Sequence, residues 1–241
     1  MIERYKNGLK DAARFAIQPN MWGYCGENTS QETLRNYVSD KDDDSEVVRE
    51  TLRSHGFPHL NAFLETISGP LGLDIFDDEV VMSYWFGSFL TEKVGVDKKA
   101  KLVDNYSQNI SNDFARALSE ALPEEIYLTH LSQVALIAAA GYNQKEKTTL
   151  INHCMIAYGK VLEVDSNKKT AIVQREVLRK NDGLGYRIAL AKQSVKIDSD
   201  LTPTINIGDE VAVHLGYLAT TISCDQAERL KYWTRKVSAV I

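Results

Sequence analysis

The sequence predicts an α+β chain in two parts: an all-helical domain over residues 1–148, then a small β-barrel with a C-terminal helix over 149–241. Three observations predict it. Apolar residues recur at three- and four-residue spacing through the first part, which places them on single helical faces. Near residue 153 this gives way to short β-branched runs separated by turn-forming residues. The charge also divides: residues 1–150 carry 23 acids and 15 bases, whereas 151–241 carry 10 acids and 13 bases.

The helical elements follow in order. Ile2, Tyr5, Leu9, Ala12 and Ala16 form the first stripe, and Pro19-Asn20 with Gly23 is expected to break that helix. Thr29 and Glu32 have capping-box spacing, ahead of a short helix carrying Leu34, Tyr37 and Val38. The run Asp42-Asp43-Asp44 reads as a solvated turn whose charges favour the next helix start. That helix covers 45–54 and stops near Gly56. Further helices are expected over 59–67, 77–89, 110–122 and 124–140, the last after Pro123 and up to Gly141. The aromatic stretch Ser83-Tyr84-Trp85-Phe86-Gly87 is expected to build the helical core.

Strands are expected over 155–164, 170–177, 187–197, 210–215 and 217–222. Turns at Asp165-Ser166-Asn167, Asn181-Asp182-Gly183 and Asn206-Ile207-Gly208-Asp209 separate them. Strands of this length and spacing favour a small barrel over a parallel sheet. The closing helix, 225–237, carries the stripe Ala227, Leu230, Trp233, Thr234 and Val237, with Asp225 as expected cap.

Composition excludes several classes. The most apolar stretch, 134–140, is far shorter than a membrane span, and the polar start lacks a signal-peptide apolar region. Cys25, Cys154 and Cys224 are odd in number and widely spaced, which points to a reducing cytoplasm and no disulfide framework. The small basic excess of the second part does not make a nucleic-acid stripe. No dinucleotide fingerprint, P-loop, Cys-x-x-Cys or His-Glu-x-x-His occurs.

Two segments carry a resemblance. His153-Cys154-Met155-Ile156-Ala157-Tyr158-Gly159-Lys160-Val161 is similar to the start of the HypC family of hydrogenase-maturation chaperones, with the same cysteine-to-glycine spacing. Gly208-Asp209-Glu210-Val211-Ala212-Val213-His214-Leu215-Gly216-Tyr217-Leu218-Ala219 resembles that family's second motif. The resemblance covers about residues 152–238 and implies an OB-like barrel. It implies a non-catalytic factor that assembles the iron–dicyanide–carbonyl group of nickel–iron hydrogenases and meets a maturation partner or the large subunit. It marks Cys154, His214 and Gly159 as partner-facing, with Cys154 and His214 as the groups that would touch iron. Departures are an internal Cys154, where the family's cysteine is N-terminal, and Tyr158 at a family proline position. In the first part, Arg14-Phe15-Ala16 and Asn20-Met21-Trp22-Gly23-Tyr24-Cys25-Gly26 resemble an uncharacterised bacterial family often associated with hydrogenase genes.

Plainer readings stand beside these. Cys154 is either a buried small residue at a strand start or a partner-facing or metal-facing thiol. His214 is either bonded to backbone or a ligand. His153 could add a ligand, although adjacent strand residues point to opposite faces. Cys25 belongs either to a packed aromatic loop or to a functional thiol site, and His130 reads as a core or interface residue. A Cys154–His214 hydrolase would need an orienting third group and an oxyanion site, and the sequence identifies neither.

Overall fold

A computed structural model describes residues 8–241 except 28, 55, 96, 124, 142, 143, 182–184 and 203. Ile2 and Tyr5 of the first stripe, Asp182-Gly183 of the second turn, and Glu124 lie outside the described residues. The chain is α+β, and its contacts divide it into two units, Met1–Thr129 and His130–Ile241. The change in periodicity placed the boundary at 148. The division falls earlier because two helices follow Thr129, the first packed on the second and on the C-terminal helix, the second on a strand.

The first unit is helical. Helix α1 (Gly8–Met21) buries Leu9, Ala12, Phe15, Ala16 and Ile17. Pro19 lies inside its last turn and does not break it, because a proline there forfeits one backbone bond just before the helix ends. Helix α2 (Ser30–Val38) buries Leu34 and Val38. The expected capping box is absent: Thr29 is itself helical (φ −70°, ψ −21°), and its side chain makes no cap bond. Helix α3 (Ser45–Ser54) starts where expected, with Asp44 Oδ1 accepting from Val47 N at 3.0 Å. Helix α4 (Pro58–Ser68) has proline in its first turn.

The helix expected over 77–89 stops early, as α5 (Asp78–Phe86), at Gly87, whose φ of 81° few other residues adopt, and a short α6 (Leu90–Lys93) follows beyond the expected range. Helix α7 (Lys98–Asn109) has no counterpart among the sequence expectations, and α8 (Asn112–Ala121) is capped by Ser111. The aromatic stretch does form core. Trp85 and Phe86 pack on Phe15 at 5.0 and 5.6 Å, and Tyr84 meets Phe63 at 5.8 Å.

In the second unit, α9 (His130–Gly141) begins six residues later than its expected start at 124, behind a non-helical segment in which Ile126 and Leu128 are buried alternately. Helix α10 (Gln144–Cys154) follows. Strands β1 (Ala157–Asp165), β2 (Thr170–Lys180), β3 (Tyr186–Ile197), β4 (Glu210–His214) and β5 (Tyr217–Thr221) form one sheet in the order β1-β2-β3-β5-β4. Strand β4 pairs back onto β1, and β3 meets β5 only through Lys196↔Tyr217 and Ile197↔Leu218. Inside lie Val161, Ala171, Val173, Val195, Val211, Val213 and Leu218. Two glycines of the second motif hold the ends of β4: Gly208 (φ 95°) precedes it, and Leu215 (φ 50°) with Gly216 (φ 78°) forms the tight turn into β5.

Helix α11 (Cys224–Ser238) is capped by Ser223 and Gln226 in a reciprocal box, so the cap is not Asp225, which pairs with Arg229 at 3.1 Å. Tyr158 ties this helix to the sheet. Its hydroxyl donates to Glu210 Oε1 at 3.0 Å, and Lys231 Nζ sits 3.9 Å from its ring centroid.

Because the second unit carries its own core, a fragment of residues 130–241 is expected to melt in one cooperative transition. A fragment of 150–241 starts inside α10 and lacks α9; it should melt earlier and bind a hydrophobic dye. Equal melting curves for the two fragments would show that α9 and α10 contribute nothing to the sheet.

Candidate functional site

The last four carbonyls of an α-helix lack ordinary intrahelical partners, and those at the end of α10 are each satisfied differently. Ile151 O accepts from Met155 N at 2.8 Å. Asn152 O accepts from Arg175 Nη2 at 2.6 Å. His153 O accepts from Leu215 N, in the β4–β5 turn, at 3.1 Å. Cys154 O accepts from His130 Nε2, at the start of α9, at 3.0 Å. The Asn152 side chain adds a two-way amide pairing with Leu178 of β2, donating to its carbonyl at 2.8 Å and accepting from its N–H at 2.6 Å.

This arrangement fixes the candidate residues. Cys154 and His153 occupy the last turn of α10, not a strand start, so the opposite-faces argument for His153 does not apply. Consecutive helical residues differ by roughly 100° around the axis. Both are half-buried. His214, 1% exposed, ends β4, and its ring meets His130 edge-on at 5.3 Å and 87°. Cys154 and His214 therefore flank the Leu215–His153 bond at one end of the sheet, and His130 touches both residues. Among the described residues, no group of three His, Cys, Asp or Glu side chains is arranged to hold a metal ion.

The electrostatics follow from burial. His130 is pulled down to about 4 by desolvation, against the opposing pull of its bond to Cys154. A carbonyl can only accept, so the Nε2 of this neutral ring carries the proton. His153 is lowered by burial and by the Arg175 charge. Arg175, 2% exposed, falls only to about 10 and stays cationic; Glu176 O and Gln193 Oε1 accept two more of its donors, each at 3.1 Å. Beside it Glu176 is buried and its carboxyl pushed up by that burial, with Arg235 3.9 Å away.

Gly159 has a packing explanation. A β-carbon there would overlap Val173 Cγ1 in the sheet interior. Sequence reasoning missed Arg175 and Asn152. A signal for Arg175 was available, since Ala171, Val173 and Arg175 alternate along β2 and all three are buried.

Cys25 belongs to the first unit. Burial pushes its thiol up to about 11, so it stays protonated and weakly reactive at neutral pH. Asn20 Nδ2 holds the loop by donating to Cys25 O at 3.1 Å and Glu27 O at 2.8 Å. The loop is not a packed aromatic one: Trp22 and Tyr24 are about half exposed, at 50% and 52%. In the same unit His59 Nδ1 lies 3.3 Å from the Tyr106 hydroxyl, and burial takes its imidazole down to about 4.

The chain belongs to DUF6390, a family of unknown function whose model matches residues 4–241 and so spans both units. No curated protein and no solved structure matches it.

Two outcomes follow from this geometry. Gly159→Ala should lower stability by about 1–3 kcal/mol in thermal melts, and Val173→Ala should relieve part of that loss; no relief would remove the packing explanation. For pH, His130 and His59 have folded values near 4 against an ordinary 6.5. The unfolded chain takes up their protons first, so their contribution is fully present above pH 6.5 and is lost as pH falls towards 4. For buried His130 the loss is about 3 kcal/mol. In the 130–241 fragment, which lacks His59, His130→Gln should flatten that fall; an unchanged pH profile would contradict the assignment.

Proposed function

We propose that this member of the DUF6390 family is a non-catalytic accessory factor in nickel–iron hydrogenase maturation, its second unit a closed, HypC-like, OB-like barrel. It meets a maturation partner or the hydrogenase large subunit at the end of the sheet where Cys154 sits. The observation that carries the reading is geometric. The positions matching the family's cysteine and histidine come from separate motifs, and the Leu215–His153 bond brings them to one end of the sheet.

Cys154 is the half-buried group that a partner reaches, and His214 is the deeply buried member of the pair. A thiolate is a soft donor suited to low-spin iron, with imidazole as a harder companion. The iron group is cargo, and one that arrives with cyanide and carbonyl ligands needs few donors from the protein. A second reading, a protein-interaction module with no metal role, draws support from the near-complete burial of His214 and from the lack of a three-donor cluster among the described residues. Iron content after anaerobic purification separates the two.

In a deletion strain, Cys154→Ala should abolish hydrogenase maturation, while the purified variant, altered at a half-buried position, loses no more than about 1 kcal/mol of stability. His214→Ala should weaken the same activity by a smaller factor, and Cys25→Ala should leave it intact. Normal maturation with Cys154→Ala would eliminate iron carriage through this thiol, and loss with Cys25→Ala alone would move the chemistry to the first unit.

A further inference from the structure

We propose that His130 is the positioning residue for Cys154, setting the direction in which the thiol is presented. The inference rests on the reading of Cys154 as the group a partner meets. It adds a residue that lies outside the segment of HypC resemblance.

A side chain leaves its Cα in a direction fixed by the two peptide planes on either side. For Cys154 these planes carry the carbonyls of His153 and Cys154, and both are held. The first accepts from Leu215 N at 3.1 Å, and the second accepts from His130 Nε2 at 3.0 Å. Leu215 immediately follows His214, so the first bond ties the cysteine to the histidine strand. His130 closes the frame from the other side, its ring set edge-on to His214 at 5.3 Å.

His130 is well placed for this task. It is 6% exposed and opens α9, and α9 packs against α10, whose last residue is Cys154. Met155 N, on the other side of the same peptide, is bonded to Ile151 O at 2.8 Å, so with the carbonyl released one bond instead of two would hold the final peptide of α10, and the thiol would sweep a wider range. A cysteine at a free chain end needs no such frame. One in the interior of a chain has to be aimed, and the α9–α10 pair does the aiming.

The test is the rate of Cys154 alkylation by iodoacetamide in the full chain at fixed pH, resolved by peptide mass spectrometry. Exposed Cys224 serves as the internal reference. His130→Ala should raise the Cys154-to-Cys224 rate ratio ~5-fold or more, the factor expected from losing one net hydrogen bond. His130→Gln, which places an amide N–H at similar reach, should return the ratio to within about twofold of the parent. His130→Asn, one carbon shorter, should behave as alanine does, and it replaces alanine in the comparison if the alanine variant does not fold. A folded His130→Ala with an unchanged ratio would overturn the proposal, as would equal ratios for Gln and Asn. Neither partner nor iron enters the assay, so failure of the maturation reading leaves these rates as they are. Conversely, Cys154→Ala can fail to mature hydrogenase whatever His130 does.

Discussion

The second unit depends on how the end of α10 is satisfied. A helix that stops against the rest of a protein presents carbonyls with little access to water, and each one left buried and unpaired costs about 1–3 kcal/mol. Here the donors come from β2, the β4–β5 turn and α9, so satisfying the helix end also joins three separate parts of the chain. Arg175 is the charged donor among them. A buried guanidinium is expensive unless its donors are used and its charge answered. The partial negative charge at a helix C-terminus answers it in part, and Asn152 O, Glu176 O and Gln193 Oε1 take its hydrogens.

The same helix end explains why a cysteine in the chain interior keeps part of its surface exposed. Cys154 is the last residue of α10, and the chain leaves at once for β1 through Met155 and Ile156, both buried. Those two anchor the exit, and the thiol is left half-buried at the turn. His214 is held more deeply, in a strand whose two ends are fixed by glycine turns. The pair thus has one half-buried and one fully buried member, a difference that neither motif shows when read alone.

Much of the fold was legible in the sequence, and the reasons for the rest are physical. Strand positions came through within a few residues because β-branched runs bounded by turn formers are local signals. The 45–54 helix was equally plain, from the acidic turn before it and Gly56 after it. Helix α7 escaped notice because it buries only Leu102 and Tyr106 and is otherwise polar and lysine-rich. Helix α10 escaped for a similar reason, with Thr148, Thr149, Asn152 and His153 diluting its apolar face. At α11 the serine–glutamine spacing of the box was present at Ser223 and Gln226, but Asp225 competed for the role. Of the residues gathered at the end of α10, Cys154 and His214 were singled out through motifs. His130 could be placed in a helix but not beside either of them, because that contact is made only by tertiary packing.

The short parallel pairing between β3 and β5 has a mechanical consequence. The β2–β3 ladder runs unbroken from Thr170↔Lys196 to Lys180↔Tyr186, whereas β3 and β5 share two residue pairs, with Lys196 N–H bonded to Gly216 O at 2.9 Å. A sheet opens first along its shortest ladder, since fewest bonds must break there together. Under thermal agitation the seam is therefore where β5 would part from β3, while β4 stays zipped to β1. The hairpin turn at Leu215-Gly216 is then a latch on one side only, and the amide of Lys196 would be among the earliest in the sheet to trade its hydrogen for deuterium.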